Sequence, residues 1–135
     1  MTNLKKCLYY FKFKIFTYQD TKDTEFQNTY NPVYIANGDG ENFPTKGSSV
    51  SVHYTGTFKN GDKFDSSLDR KKPFVFNLLK GEVIKCWDNV VARMSKGEKI
   101  QVTCPSNLAY GSKGAGGIIP PNTDLNFEIE LLSWK

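Results

Sequence analysis

The chain has 135 residues, of which 39% are hydrophobic and 14% aromatic, so it carries enough apolar material for the core of one domain. The net charge of +4 is modest, and lysines such as Lys71 and Lys72 lie close to acids such as Asp69. These charges do not form one basic stripe, so nucleic-acid binding is possible but unsupported by the sequence, and we do not expect it.

The cysteines and the histidine do not form a metal-binding pattern. Cys7, Cys86 and Cys104 include no Cys-x-x-Cys pair, and His53 is the single histidine. These residues do not supply four soft ligands for zinc. We therefore expect reduced thiols and no metal.

The first residues do not form a membrane or secretion signal. No apolar run approaches the roughly 20 residues that a membrane span needs. The apolar stretch at residues 7–11 ends at Lys12, which makes it too short for a secretory signal. The sequence therefore predicts no membrane span and a cytoplasmic or nuclear location.

Residues 1–28 are predicted to be an N-terminal extension in two parts. Residues 4–18 are basic and aromatic, whereas residues 19–28 are polar without apolar periodicity, which indicates a linker. In the first part Phe11, Phe13 and Ile15 alternate with lysines, as in a strand. We favour a partly ordered tail or an added edge strand over an arm that binds anionic lipid or a partner.

From Val33 onward, short alternating runs are separated by turn signals at residues 38–40, 60–62 and 109–121. The clearest strand pattern places Leu125, Phe127, Ile129 and Leu131 on one face, and Ile100, Val102 and Cys104 form another such face. His53 is out of phase with the apolar residues beside it, so we assign it a structural role. The pattern predicts a sheet with one buried face.

One segment has the spacing of an amphipathic helix. Its apolar residues recur every three or four positions and are followed by Gly97. They are Val83, Ile84, Trp87, Val90, Val91 and Met94. The simplest fold is α+β, a curled antiparallel sheet wrapped around one short α-helix.

The loop at residues 109–121 indicates one wall of a binding site. Four glycines within seven residues let the backbone fold back, and Pro120 and Pro121 end the loop before a strand. Tyr110 and two exposed-looking isoleucines, Ile118 and Ile119, are then held close together at its base. Packing alone gives little reason for such a loop.

Three further motifs accompany this loop: Val52-His53-Tyr54-Thr55-Gly56, Lys63-Phe64-Asp65-Ser66-Ser67 and Glu82-Val83-Ile84-Lys85-Cys86-Trp87. In order and spacing the four blocks resemble the FKBP family of peptidyl-prolyl cis-trans isomerases, the immunophilins that bind tacrolimus and rapamycin. The resemblance implies an isomerase domain over residues 29–135 with its ligand pocket between helix and sheet. It implies no cofactor and no metal.

The resemblance also implies the residues of the site. The catalytic set is Tyr54, Phe64, Asp65, Trp87, Tyr110 and Phe127. The ligand-binding set is Arg70, Phe74, Glu82, Val83, Ile84, Ala115, Ile118 and Ile119.

Within these sets the resemblance assigns individual roles. Trp87 forms the pocket floor, Asp65 lies beside Tyr54 and Arg70, and Tyr110 and the Ile84 N–H donate to ligand carbonyls. Considered alone, the apolar members fit a plain core equally well, and Asp65 fits a turn cap.

The implied substrates are proline-containing polypeptide segments, and the implied ligands are macrolide immunosuppressants. An alternative is a docking module that holds a protein partner through the pocket and the 109–121 loop with little catalysis. A monomer is expected in either case.

Two residues depart from the family pattern, which usually has glycine at both positions. Val90 lies on the apolar stripe and is expected to fill core. Cys86 lies at the margin of the stripe and is expected to border the pocket or the outer surface, which leaves covalent or redox regulation open.

Overall fold

The structure, a computed structural model, describes residues 18–135, and in this range it contains two α-helices and six strands. In chain order these are α1 (Tyr18–Tyr30), β1 (Val33–Ala36), β2 (Ser49–Thr57), β3 (Lys63–Ser66), β4 (Phe74–Asn77), α2 (Lys85–Val91), β5 (Lys99–Cys104) and β6 (Leu125–Trp134). Short 3-10 turns at Ser106–Leu108 and Gly111–Lys113 lie between β5 and β6. The strand pattern predicted around Phe13 lies outside the described residues.

The strands form one curled antiparallel sheet in the order β1-β5-β6-β2-β3, and β4 also pairs with β2. The long strands β2 and β6 pair from Val50 opposite Trp134 to Thr57 opposite Asn126. Because side chains alternate across a strand, this register turns one set of residues toward the core. The predicted faces of β5 and β6 are buried as expected.

Helix α2 packs against the concave face of the sheet and completes the core. Trp87, Val90, Val91 and Met94 are buried, so Val90 fills core as predicted. The helix is shorter than its apolar stripe, because Val83 and Ile84 precede its first turn. The predicted α+β fold class is confirmed.

Helix α1 lies where the sequence analysis predicted a polar linker, and it is a second helix where only one was expected. Both predictions are therefore wrong. Phe26 and Tyr30 are only 6% and 5% exposed, and Asn89 on α2 donates from Nδ2 to the Tyr30 hydroxyl over 2.9 Å. The Arg93 guanidinium lies 4.2 Å from the centre of the Phe26 ring. Two aromatic residues four positions apart therefore anchor an otherwise polar helix. The division of the chain at residue 28 stays a prediction.

Neither helix in the described part of the chain is long and apolar enough to cross a membrane.

The prediction of reduced thiols is wrong for two of the three cysteines. Cys86 in α2 and Cys104 at the end of β5 form a disulfide whose Cα atoms are 5.7 Å apart. Both residues are fully buried and neither is among the residues that line the pocket, so Cys86 borders neither the pocket nor the outer surface. Sequence spacing gave no sign of the pair, because only the packing of α2 on the sheet brings the two residues together. Cys7 lies outside the described residues.

Candidate active site

A cavity of about 270 Å³ lies between α2 and the concave face of the sheet. It is lined by Tyr54, Phe64, Asp65, Phe74, Glu82, Val83, Ile84, Trp87, Tyr110 and Phe127. Strands β2, β3, β4 and β6 each contribute an aromatic side chain, while residues 82–84 form the approach to α2. The fold therefore brings together all six predicted catalytic residues.

Trp87 lies at the centre of an aromatic cluster. Its ring centre is 4.7 Å from that of Tyr54 and 5.3 Å from that of Phe127, with interplanar angles of 71° and 86°. Phe74 and Phe64 extend the cluster on either side. Edge-to-face contacts of this kind are favourable, so the aromatic rings of the cavity wall stabilise one another's positions.

Gly56 makes room for two of these rings, a role that the sequence motif alone did not reveal. A Cβ atom built on Gly56 would lie 2.5 Å from Cζ of Phe64 and 2.8 Å from Cε1 of Phe127. Neither distance is compatible with the present ring positions. The glycine is therefore required by the packing of the cavity wall.

Three polar side chains meet at one edge of the cavity. The Tyr54 hydroxyl donates to Asp65 Oδ2 over 2.5 Å, and Arg70 Nη1 donates to Asp65 Oδ1 over 2.5 Å. Arg70 Nη2 also donates to the Tyr54 hydroxyl over 2.8 Å. Each oxygen of the Asp65 carboxylate thus has its own donor. Arg70 contacts both Tyr54 and Asp65 but does not itself line the cavity.

The surroundings of Asp65 keep its carboxyl group ionised. Burial acts to raise the pKa of Asp65, but hydrogen bonds from Tyr54 and Arg70 outweigh it, and the pKa is lowered overall. Burial also raises the pKa of Tyr54, and its hydrogen bond to Asp65 adds to this effect. The phenol therefore keeps its proton and donates a hydrogen bond to the ionised carboxylate.

Tyr110 supplies a different kind of hydroxyl. Burial, and secondarily the negative charge of Asp65, raise the pKa of Tyr110, so the group stays protonated. Among residues 23–135, whose side chains the structure describes, the Tyr110 hydroxyl has no hydrogen-bond partner, whereas the Tyr54 hydroxyl donates to Asp65. The Ile84 N–H, at the start of α2, is likewise unused within the described range. Two donors at the cavity are thus available to a ligand.

Asp88 fixes the segment that leads into the cavity, a role that the sequence analysis missed. Its buried carboxylate accepts the Leu79 N–H over 2.8 Å and the Gly81 N–H over 3.3 Å. Glu82 is held in turn, since it accepts hydrogen bonds from the backbone and side chain of Asn77. The sequence did offer one signal for the role of Asp88, because it is an acidic residue in the first turn of an otherwise apolar helix.

The 109–121 loop contributes Tyr110 to the cavity lining but not its other predicted residues. Ala115 and Ile119 exchange backbone hydrogen bonds, which places Ile119 in the core at 6% exposure and Ile118 outside at 62%. The prediction that both isoleucines are exposed is therefore wrong for Ile119. Neither isoleucine lines the cavity, and neither Ala115 nor Arg70 does.

Comparison with known proteins shows which protein family this chain belongs to. A sequence profile described as FKBP-type peptidyl-prolyl cis-trans isomerase matches residues 40–132. The chain belongs to the FKBP-type peptidyl-prolyl cis-trans isomerases. The aromatic cavity between α2 and the sheet is the candidate active site of this FKBP-type enzyme.

Individual relatives agree with the family assignment. Peptidyl-prolyl cis-trans isomerase Fkbp12 of Drosophila melanogaster is 54% identical over 100 residues, which cover 74% of this chain and 93% of the relative. Peptidyl-prolyl cis-trans isomerase FKBP1A of Xenopus laevis is 53% identical, with coverage of 73% and 91%. FK506-binding protein 1 of Saccharomyces cerevisiae is 52% identical, with coverage of 73% and 86%. Two of these names describe isomerases and the third describes a protein that binds FK506, and none of them favours a docking module.

Proposed function

We propose that the aromatic cavity receives the proline ring of a flexible polypeptide segment and accelerates rotation about the preceding peptide bond. The observation that carries this proposal is the composition of the cavity. Aromatic and aliphatic side chains surround its interior, while Asp65, Glu82 and Tyr110 supply its polar groups. No nucleophile or cofactor takes part in the proposed reaction.

The physical basis is the electronic structure of the amide. Its partial double bond sets a rotation barrier of roughly 18–20 kcal/mol, and a 90° twist removes the resonance. The twisted amide is less dipolar at its carbonyl than the planar amide. Transfer from water to an apolar cavity therefore destabilises the planar ground state more than the twisted transition state, and the barrier falls.

We propose distinct roles for the polar groups. The Tyr110 hydroxyl and the Ile84 N–H donate to substrate carbonyls and hold the chain on either side of the proline. Asp65 is held in place by its hydrogen bonds from Tyr54 and Arg70. Its carboxylate keeps this edge of the cavity rigid and places a negative charge there. Trp87 forms the floor on which the ring packs.

We propose that the same cavity binds tacrolimus (FK506) and rapamycin. Support comes from relatives that are named FK506-binding protein 1 and are 51–52% identical to this chain over 98 residues. We further propose that the 109–121 loop contacts protein partners, since Tyr110 and Ile118 are both exposed on it. We also propose that the chain works as a monomer.

We propose a cytoplasmic or nuclear location, as the sequence predicts. Cytosolic thiols keep most protein cysteines reduced, so the Cys86–Cys104 disulfide would be unusual in a cytoplasmic protein. Complete burial of both residues shields the bond from such thiols. Fractionation of cells, with alkylation of free thiols at lysis, tests location and thiol state together.

Catalysed cis-to-trans exchange of short peptides tests the proposed substrate class. Peptides with an apolar residue before proline are expected to exchange faster with the protein than without it, and a protein whose refolding is limited by an X-Pro bond is expected to refold faster. Trp87→Ala is expected to abolish both effects, with Phe43→Ala as an exposed control. Rates equal to the uncatalysed ones with folded protein would overturn the proposal.

A further inference from the structure

The Cys86–Cys104 disulfide connects two sides of the active site. Cys86 directly precedes Trp87, the cavity floor, and Cys104 is the last residue of β5. Six residues after Cys104 the chain reaches Tyr110 at the cavity edge. The disulfide is therefore a covalent link between α2, which carries Trp87 at the cavity floor, and the segment after β5, which carries Tyr110 at the cavity edge, here called the rim.

Helix α2 depends on its attachments to stay in place. It has seven residues, and its N-cap residue, Ile84, makes no side-chain capping hydrogen bond. Helices this short do not persist without tertiary contacts. On one side Asp88 ties α2 to the segment around Leu79, and on the sheet side the disulfide ties it to β5.

The other end of the link is equally well fixed. Cys104 lies opposite Leu125 of β6, and the Ser106 N–H donates to Asp124 Oδ1 over 2.8 Å. The 3-10 turn that follows then leads to Tyr110. Because the segment is anchored on the sheet, the disulfide sets the position of α2 relative to the rim as well as to the core.

We propose that the Cys86–Cys104 disulfide is a positioning element of the prolyl cavity, and that its reduction lowers the affinity of the cavity for ligands. The inference rests on the proposed function, because it assumes that the cavity binds macrolides and proline-containing segments. A dithiol reductant supplies two electrons and two protons, the S–S bond breaks, two thiols form, and the reductant becomes a disulfide.

The burial of the bond predicts how reduction and binding are coupled. Both residues are fully buried, so a dithiol reaches a sulfur only when α2 loosens from β5. A ligand that holds the floor and the rim together opposes that loosening. By thermodynamic linkage, the factor by which reduction weakens binding equals the factor by which ligand shifts the thiol–disulfide equilibrium toward the disulfide.

The test uses the full chain with Cys7→Ser, which removes the third thiol. Rapamycin affinity and kcat/KM for a proline peptide are measured for the oxidised protein and for protein reduced by dithiothreitol, with thiols counted and folding checked by circular dichroism. We expect reduction to weaken rapamycin binding by about tenfold. Saturating rapamycin is expected to shift the dithiol equilibrium by the same factor.

Two variants separate positioning from general stability. Cys86→Ala with Cys104→Val removes the bond but refills buried volume, and it is expected to bind rapamycin as weakly as the reduced protein. Leu131→Ala weakens the core away from the cavity lining with the disulfide intact, and its affinity is expected to stay unchanged while it remains folded.

The outcomes distinguish the two proposals. Oxidised protein that neither isomerises the peptide nor binds rapamycin would overturn the proposed function. Active oxidised protein whose affinity is the same after reduction would overturn the positioning role alone. If the reduced protein unfolds, the Cys86→Ala, Cys104→Val variant decides, and wild-type affinity in that folded variant contradicts the proposal.

Discussion

Single residues fix the shape and the charge of the active site. Gly56 leaves space for the rings of Phe64 and Phe127, and Asp65 draws Tyr54 and Arg70 into one hydrogen-bonded cluster. Gly56 acts through the absence of a side chain, and Asp65 acts through a carboxylate that accepts hydrogen bonds from two donors. Each can be changed without removing an aromatic wall, so each gives a selective test of the site.

Asp65→Asn is expected to lower kcat/KM by about three- to tenfold, because the amide cannot accept charge-assisted hydrogen bonds from both Tyr54 and Arg70. The effect is moderate because the Asp65 side chain is 43% exposed. Peptide exchange and thermal unfolding are measured together. A folded variant with wild-type kcat/KM would contradict the role of the cluster.

The pH dependence follows from the lowered pKa of Asp65. A carboxyl group whose pKa is depressed in the folded protein contributes stability above its unfolded pKa and loses that contribution as pH falls through the folded value. Protonation of Asp65 in the folded protein would also remove the acceptor that holds Tyr54 and Arg70, so we expect rapamycin affinity to be constant while Asp65 is ionised and to fall only in acid, below the ordinary aspartate pKa of about 4. Isothermal titration at several pH values checks this, and affinity that rises in acid would contradict it.

Gly56→Ala is expected to weaken rapamycin binding by about tenfold, because accommodating the new Cβ displaces Phe64 or Phe127 at a cost of about 1–3 kcal/mol. Thr57→Ala is the matched control on the same strand and does not line the cavity. Affinity is measured on variants shown to be folded. Equal affinities for the two variants would show that Gly56 is dispensable.

At the scale of elements, the strands and α2 were predictable and α1 was not. Period-two alternation identified β5 and β6 because one face of the sheet is buried. Within residues 23–30 of α1, Phe26 and Tyr30 are the buried side chains, and the helix carries no continuous apolar stripe. Its position depends on tertiary contacts with Asn89 and Arg93, which no local pattern reveals.

Phe26→Ala tests whether α1 is part of the folded domain. The residue is 6% exposed, and its loss is expected to lower the free energy of unfolding by about 3 kcal/mol. Phe43→Ala, at a position that is 47% exposed, is expected to change it by less than about 0.5 kcal/mol. Urea titrations supply both values. A Phe26→Ala effect as small as that of the control would mean that α1 contributes little.

At the scale of the whole molecule, fold and aromatic cavity followed from sequence blocks, whereas links between distant elements did not. The resemblance named the residues that line the cavity, but Cys86 and Cys104 showed no recognisable spacing. Asp88 carried one local signal, as an acid in the first turn of an apolar helix, but that signal did not identify its partners at Leu79 and Gly81. The partners in such interactions are set by the three-dimensional packing of separate segments, which the local sequence does not reveal.

The disulfide is expected to stabilise the whole fold as well as the cavity. It joins residues 18 positions apart. Closing a loop of that length in the unfolded chain corresponds to about 3 kcal/mol. Urea unfolding of oxidised and reduced protein, with thiols counted in each sample, measures this difference. Equal free energies of unfolding would contradict a stabilising role.

The most direct test of the account is peptide isomerisation in the presence of rapamycin. If the cavity around Trp87 is the active site, exchange of a peptide with an apolar residue before proline is catalysed, and stoichiometric rapamycin abolishes the catalysis. Catalysis that persists with rapamycin bound would place the active site outside the cavity. Absence of both catalysis and binding in folded protein would contradict the account as a whole.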